Sequence, residues 1–315
     1  MVPLFAFSLL SALVDVFAGA RLQQVDPGAV AAVAFTLTGV VFCTAAVVRM
    51  RWKPLVAVAR AHARDLLVVN VTTALSWLSL LYALKLMEPA VANVVSIAIG
   101  PAFTVVMQML WWRRDKVLPG EFVSAVGILA TLVLLVWASL TGESGVGARD
   151  LTAMSLGVFA AVVSGAATSA NVVFSARLGA AGVDVPTVMG LRFGLVAVGG
   201  WVMAGFAGFQ ALGEAVVPGV VVAVIGVSVP AYLVQVGVRR VPPMTASMVI
   251  SLAPVLTLLL QLFDTRLEFS TISAVGIAVI TLFIGVGLLA RRSAQRPAPP
   301  PTAENEDIVH AVRDH

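Results

Sequence analysis

Apolar residues run along this chain in long blocks. Ten of these blocks approach the length, about 20 residues, that a helix needs to cross a hydrocarbon core of roughly 30 Å. They fall at about 3–20, 28–48, 66–84, 90–111, 120–140, 151–176, 186–206, 216–238, 243–263 and 270–290. Continuous runs exclude a membrane β-barrel, whose strands alternate polar and apolar positions. The first block ends on Ala18-Gly19-Ala20, a small-residue triplet of the kind that precedes signal cleavage. It has no basic n-region and carries Asp15 within its apolar core, so it is expected to be a retained helix.

Polar residues inside the blocks fall at helical spacing. Block 1 carries Ser8, Ser11 and Asp15; block 3, Asn70, Thr73 and Trp77; block 4, Asn93, Pro101, Thr104 and Gln108. Block 6 carries Ser164, Thr168, Asn171 and Ser175; block 8, Ser228, Tyr232 and Gln235; block 9, Ser247, Ser251, Pro254, Thr257 and Gln261. Blocks 2, 5 and 10 are nearly bare of large polar groups. The split predicts that 1, 3, 4, 6, 8 and 9 surround something polar, while 2, 5 and 10 face lipid or another subunit.

The chain also repeats itself. PAVANVVSIAIGPAFTVVMQ (Pro89–Gln108) aligns without gaps on PPMTASMVISLAPVLTLLLQ (Pro242–Gln261), sharing Pro89/Pro242, Pro101/Pro254, Thr104/Thr257 and Gln108/Gln261. Each copy runs on into the same pentapeptide, SAVGI, at Ser124–Ile128 and Ser273–Ile277. Ala20-Arg21-Leu22 is echoed by Ala176-Arg177-Leu178, and Val25-Asp26 by Val183-Asp184, each with a proline close behind. Residues 1–140 and 151–292 therefore read as two five-helix repeats joined by a Gly/Ser-rich linker at 141–150. An odd number of helices per repeat inserts the two halves in opposite orientation. The tail, 293–315, is proline-rich and of mixed charge, and is expected to be disordered.

Composition supports the same class. The chain is 60% hydrophobic and only 11% charged, where a soluble domain is about a quarter charged. With the N-terminus inside, fifteen Lys/Arg fall on the inner side, from Arg49 to Arg313, against Arg21, Lys85, Arg149 and Arg266 outside. That bias predicts N-in, C-in, and explains the high pI without nucleic acid. The expected fold is an all-α integral membrane protein of ten transmembrane helices. Its single cysteine, Cys43, and its histidines, His62, His310 and His315, leave no set of ligands for a metal site or partners for a nucleophile triad. There is no GxxxxGK[ST] nucleotide loop.

The candidate chemistry lies in the spans. Asp15 and Arg192 are the ionisable residues read as lying inside the membrane. An intramembrane acid can take up and return a proton, or hold a substrate cation; the alternative is a structural Asp that pins helix 1 to a neighbour. Arg192 either serves the site or snorkels to the inner surface. Asp15 lies six residues before Arg21, and Asn171 six before Arg177, which puts a carboxyl and an amide at mirrored depths. Trp77, Asn93, Asn171, Tyr232 and Ser251 complete the expected binding set. Pro101 and Pro254 are expected to kink moving helices, with Gln108 and Gln261 as further gating candidates. So lightly charged a cavity suits an amphipathic or zwitterionic solute better than a polyanion.

YALKLMEPAVANVVSIAIGPAFTVV (Tyr82–Val106), with its weaker echo at Tyr232–Leu258, resembles the EamA family of the drug/metabolite transporter superfamily, over about residues 3–290. The resemblance implies an inner-membrane secondary carrier, often an exporter of amino acids, related metabolites or drugs, with helices around a central cavity. Such repeats often carry an Arg early in their second helix. The second half has Arg192 there, but the first has Val33 or Ala34, so any charge gating is asymmetric. The expected partners are a small-molecule substrate, membrane lipid and a coupling proton, with no cofactor, and the unit is a monomer or homodimer. The competing expectation is a membrane-embedded enzyme or flippase acting on a lipid or lipid-linked substrate. That reading lacks a catalytic constellation, since Glu88, Asp115 and Glu121 are interfacial and scattered.

Overall fold

The computed structural model describes residues 2–110, 118–141, 150–208, 210–238, 249–250, 252–264 and 270–294. Among these residues the regular structure is helical. The first half supplies α1 (Val2–Leu22), α2 (Pro27–Met50), α3 (Trp52–Ala61), α4 (Ala63–Leu86), α5 (Pro89–Leu110) and α6 (Pro119–Thr141). The second supplies α7 (Leu151–Ala180), α8 (Val185–Leu191), α9 (Gly194–Ala207), α10 (Ala211–Val221), a π-helical turn at Val222–Ser228, α11 (Val229–Val238), α12 (Ala253–Gln261) and α13 (Thr271–Ala294). Seven segments are long and apolar enough to cross a membrane, and α5 and α6 add shorter apolar runs at Pro89–Gly100 and Phe122–Ala138. Of the ninth block, the described residues are helical at 249–250 and again in α12, and most of the tail lies outside the described residues.

The repeated Asp–Pro signals are helix starts. Asp26 caps α2 by accepting from the Ala29 amide at 2.9 Å, and Asp184 caps α8 by accepting from the Thr187 amide at 3.3 Å. A proline occupies the first turn of each helix, where its missing N–H costs nothing. The basic stretch after α2 reads from the sequence as a loop. Instead it holds the short helix α3, which buries Leu55 and leaves Trp52, Lys53 and Arg60 exposed, an arrangement suited to lying along an interface.

The helices of residues 2–141 pair extensively with those of residues 150–294. α4 packs on α7 and α1 on α11; α5 packs on α7 and α1 on α12; α4 packs on α9 and α2 on α10. α2 with α9, α5 with α12 and α6 with α13 complete the main contacts between halves. Exchanging each helix for its counterpart in the other half turns every pair named here into another of them, or into itself.

For block 2 the expectation of an outward face needs correction, while blocks 5 and 10 keep exposed apolar faces, with Val133 and Leu282 both more than 60% exposed. α2 is among the most enclosed helices, with Ala29, Val30, Ala31, Ala32, Ala34 and Phe35 fully buried. Its neighbours approach through glycine: a Cβ at Gly200 would stand 2.5 Å from the Ala32 amide nitrogen. Small residues bring backbones together without polar groups, so a bare helix need not face lipid. α6 and α13 pack on each other through the twin pentapeptides, Gly127 against Phe283 and Gly276 against Leu135.

Candidate functional site

The seventh block is not one helix. α8 stops at Leu191 and α9 restarts at Gly194, leaving Arg192 and Phe193 at a break. A break inside the bilayer strands backbone groups, and these must find partners within the protein. Asn70 of α4 supplies them. Its Nδ2 donates to the Leu191 carbonyl at 2.8 Å, and its Oδ1 accepts from the Leu195 amide at 3.3 Å. Across the break, Arg192 Nη2 donates to Asn171 Oδ1 at 2.7 Å. The Asn171 amide nitrogen donates in turn toward the Val69 carbonyl, Thr72 Oγ1 and Thr73 Oγ1, at 3.0, 2.9 and 2.9 Å. Two hydrogens serve those three acceptors, so the amide is held from several directions. The Arg192 guanidinium lies 5.5 Å from the Phe193 ring centroid, and its Nε is buried without a hydrogen-bond partner. Phe193 stacks with Phe35 and Phe42, and Phe35 meets Trp77 at 5.3 Å. One cation thus sits against an aromatic wall.

A second network joins α1 to α5. Asp15 and Asn93 are both more than nine-tenths buried, and Asn93 Nδ2 donates to the Asp15 carboxyl. Asn93 Oδ1 has no partner. A third buried set closes the junction between α4 and α5. Gln261 of α12 donates to Glu88 Oε1 and accepts from the Ala90 amide at 3.2 Å, while Ser273 of α13 donates to Glu88 Oε2 at 2.9 Å. Glu88 is only 1% exposed, so it is a buried tie between halves and not the interfacial acid expected from the sequence.

Residues 2–137 match the EamA-like transporter family. That segment belongs to the EamA family. A solved structure, described only as the crystal structure of a protein, is similar to this chain at 23% identity and a TM-score of 0.59, covering 92% of this chain and 96% of the other. At that identity the likeness speaks for the fold alone. No curated protein matches. The chain is a multi-pass membrane protein, and the EamA family is one of transporters rather than enzymes.

The structure brings Asp15 to Asn93, and Asn171 to Arg192, with Trp77 in the aromatic wall beside the latter pair. Arg192 does not snorkel away; it turns to Asn171. Tyr232 is 67% exposed on α11 and takes part in neither hydrogen-bond network. Ser251 and the side chains of Pro101 and Gln108 lie outside the described residues. Pro254 is buried in the first turn of α12, with residues 249–250 helical ahead of it and Leu252 in a turn between. Gln261 is buried against Glu88 and does not meet headgroups. Two features escaped the sequence reading. Asn70 was visible only as one polar residue in a stripe, although it bridges a helix break. Glu88 was visible only as the acid just before Pro89; Gln261 and Ser273, more than 170 residues on, are what hold it.

Proposed function

We propose that this protein is a secondary active transporter that exports small amphipathic or zwitterionic metabolites, amino-acid-like solutes or drugs, across the inner (plasma) membrane by alternating access. Its halves, 1–140 and 151–292, are inverted repeats of five helices each, inserted N-in and C-in. One observation carries the reading. Two polar networks, each holding one ionisable group, hang on helices that the repeat makes counterparts: Asp15 on α1 and Asn171 with Arg192 on α7 and the α8–α9 break. A discontinuous spanning helix at a repeat interface is the arrangement from which many carriers build their sites. Asp15 can bind a coupling proton or a substrate ammonium, and Arg192 can receive a carboxylate. The aromatic wall of Phe35, Phe42, Phe193 and Trp77 suits the apolar body of an amphipathic solute.

The family match and the exchange symmetry of helix pairing support this reading. Its test is counterflow in proteoliposomes containing purified protein and a panel of amino acids and cationic drugs, beside a comparison of exported metabolites in overexpressing and deleted cells. Flux that saturates and is carried by at least one solute of this class is the expected result. Turnover of a lipid-linked compound without solute flux would end the proposal.

A further inference from the structure

Six charged residues outside these networks lie on two faces of the bundle. On the face where α2 ends and α4 begins, Arg177 in the last turn of α7 pairs with Asp65 in the first turn of α4 at 3.4 Å. Arg49, in the last turn of α2, pairs with Asp184, the cap of α8, also at 3.4 Å. Each pair ties one half to the other. On the opposite face, where α1 ends, Arg21 and Glu214 line a cleft of about 560 Å³ together with Gln24, Val25, Val217 and Pro218.

The repeat connects the two faces. Arg21 and Arg177 occupy the same Ala-Arg-Leu context at the ends of counterpart helices α1 and α7. Glu214 and Asp65 stand in the first turns of α10 and α4, which begin the third span of their halves. Exchanging halves therefore carries Arg177–Asp65 onto Arg21–Glu214. The first pair is formed. The second is not: Arg21 lies over the Phe17 ring at 5.9 Å and no ion pair joins it to Glu214.

We propose that Arg21 and Glu214 are a gate pair, closing the mouth at the end of α1 when Arg177 and Asp65 separate at the other. This rests on the alternating-access reading and names the residues that time it. An exposed ion pair shifts an equilibrium by only about fivefold at most, which is weak enough to break in every cycle. The faces are not equal, because α9 ends without a cation to play the part of Arg49. Two pairs are formed on the face of Arg177 and Arg49, and none joins Arg21 to Glu214 on the other.

Spin labels test this in vesicles of phosphatidylethanolamine and phosphatidylglycerol, on a Cys43→Ser background. One pair of labels sits at Gln24 and Val217 across the cleft, and the other at His62 and Ala181 on the opposite face. The expected result is a short and a long separation at each mouth, populated reciprocally. Glu214→Gln or Arg21→Gln lowers the closed-cleft population about threefold to fivefold. Arg21→Glu combined with Glu214→Arg restores it, and Asp65→Asn raises it. A population that ignores Glu214→Gln, or that the swap leaves unrestored, overturns the gate pair while reciprocal exchange of the mouths preserves the carrier mechanism. One fixed separation at both mouths in every variant would sink the mechanism and the pair together.

Discussion

Asp15 and Asn171 hold counterpart positions on α1 and α7, yet they differ in what they can do. Asp15 has one described partner, the amide of Asn93, and its group can change charge. Asn171 is held by α4 on one side and Arg192 on the other, and its charge is fixed at zero. The two positions share a sequence context and differ in their chemistry. The α1 side places a carboxyl against the Asn93 amide. The α7 side fixes a guanidinium beside an aromatic wall and a broken helix. The difference teaches that repeat symmetry in this protein is a property of packing, while its chemistry is asymmetric.

The largest effect is expected from erasing that difference. Asp15→Asn keeps the size and hydrogen bonding of the side chain but leaves amides at both counterpart positions. Concentrative transport driven by a pH gradient should fall at least tenfold, roughly the scale of one lost charge interaction, while exchange down a solute gradient survives. Accumulation in proteoliposomes at several pH values measures this. Wild-type accumulation with an unchanged pH dependence would remove Asp15 from coupling.

Next comes the opposite edit. Asn171→Asp gives Arg192 a carboxylate within 3 Å, so α7 should be latched to the helix break. A more stable protein that transports several-fold more slowly is expected, read from thermal unfolding in detergent and from initial flux. Asn171→Ala should cost about 1–2 kcal/mol, because Arg192 and the Thr72–Thr73 pair lose their common partner. If Asn171→Asp speeds transport, the network is not a latch.

How much of this was legible depends on the kind of signal. The long apolar helices and the Asp-capped helix starts follow from local rules, and Asp26 and Asp184 sit where those rules put them. Asp15, Asn171 and Arg192 stood out because an ionisable or amide group in an apolar run is expensive unless it is used. The break at Arg192–Phe193 carries no proline and was read as continuous helix. Only the partner Asn70, more than 120 residues away, makes it affordable. Burial of α2 was misjudged for a similar reason. Its alanines are unremarkable until Gly28, Gly200 and Gly219, from three different elements, are seen to meet their neighbours in one seam. Non-local partners decide such features, and hydropathy does not report them.

Packing should show the symmetry that chemistry has lost, and its mirrored glycines give a smaller test. A Cβ at Gly127 would lie 2.4 Å from the Phe283 ring, and one at Gly276 would lie 2.5 Å from Leu135 Cδ2. An aliphatic side-chain end has more room to yield than an aromatic ring. Gly127→Ala should therefore destabilise by about 1–3 kcal/mol and Gly276→Ala by less, with flux per folded molecule preserved in both. Unfolding in detergent orders the two. A larger loss at Gly276 would show that the α6–α13 seam is not the near-symmetric contact its sequence implies.

The smallest effect is expected at Pro254, and it separates two accounts of the repeated proline. In a helix interior a proline removes a backbone hydrogen bond and clashes with the preceding turn, at a cost of about 3 kcal/mol, so replacing it should stabilise and straighten the helix. Pro254 stands in the first turn of α12, after a turn at Leu252 that follows helical residues 249–250, so the stretch is already broken there. Pro254→Ala should thus change stability by less than about 1 kcal/mol. What it can change is freedom: alanine permits the turn at 252 to be taken up into a longer helix, and the rigid start of α12 is lost. Gln261, at the other end of α12, holds Glu88 and the Ala90 amide, so motion of this helix is transmitted to the start of α5. A modest slowing of flux, about twofold to threefold, with unchanged unfolding is the outcome that fits a positioned helix start. Clear stabilisation with faster unfolding-resistant flux would fit an interior kink and restore the original reading of the repeat. Normal flux and normal stability together would leave Pro254 as packing alone.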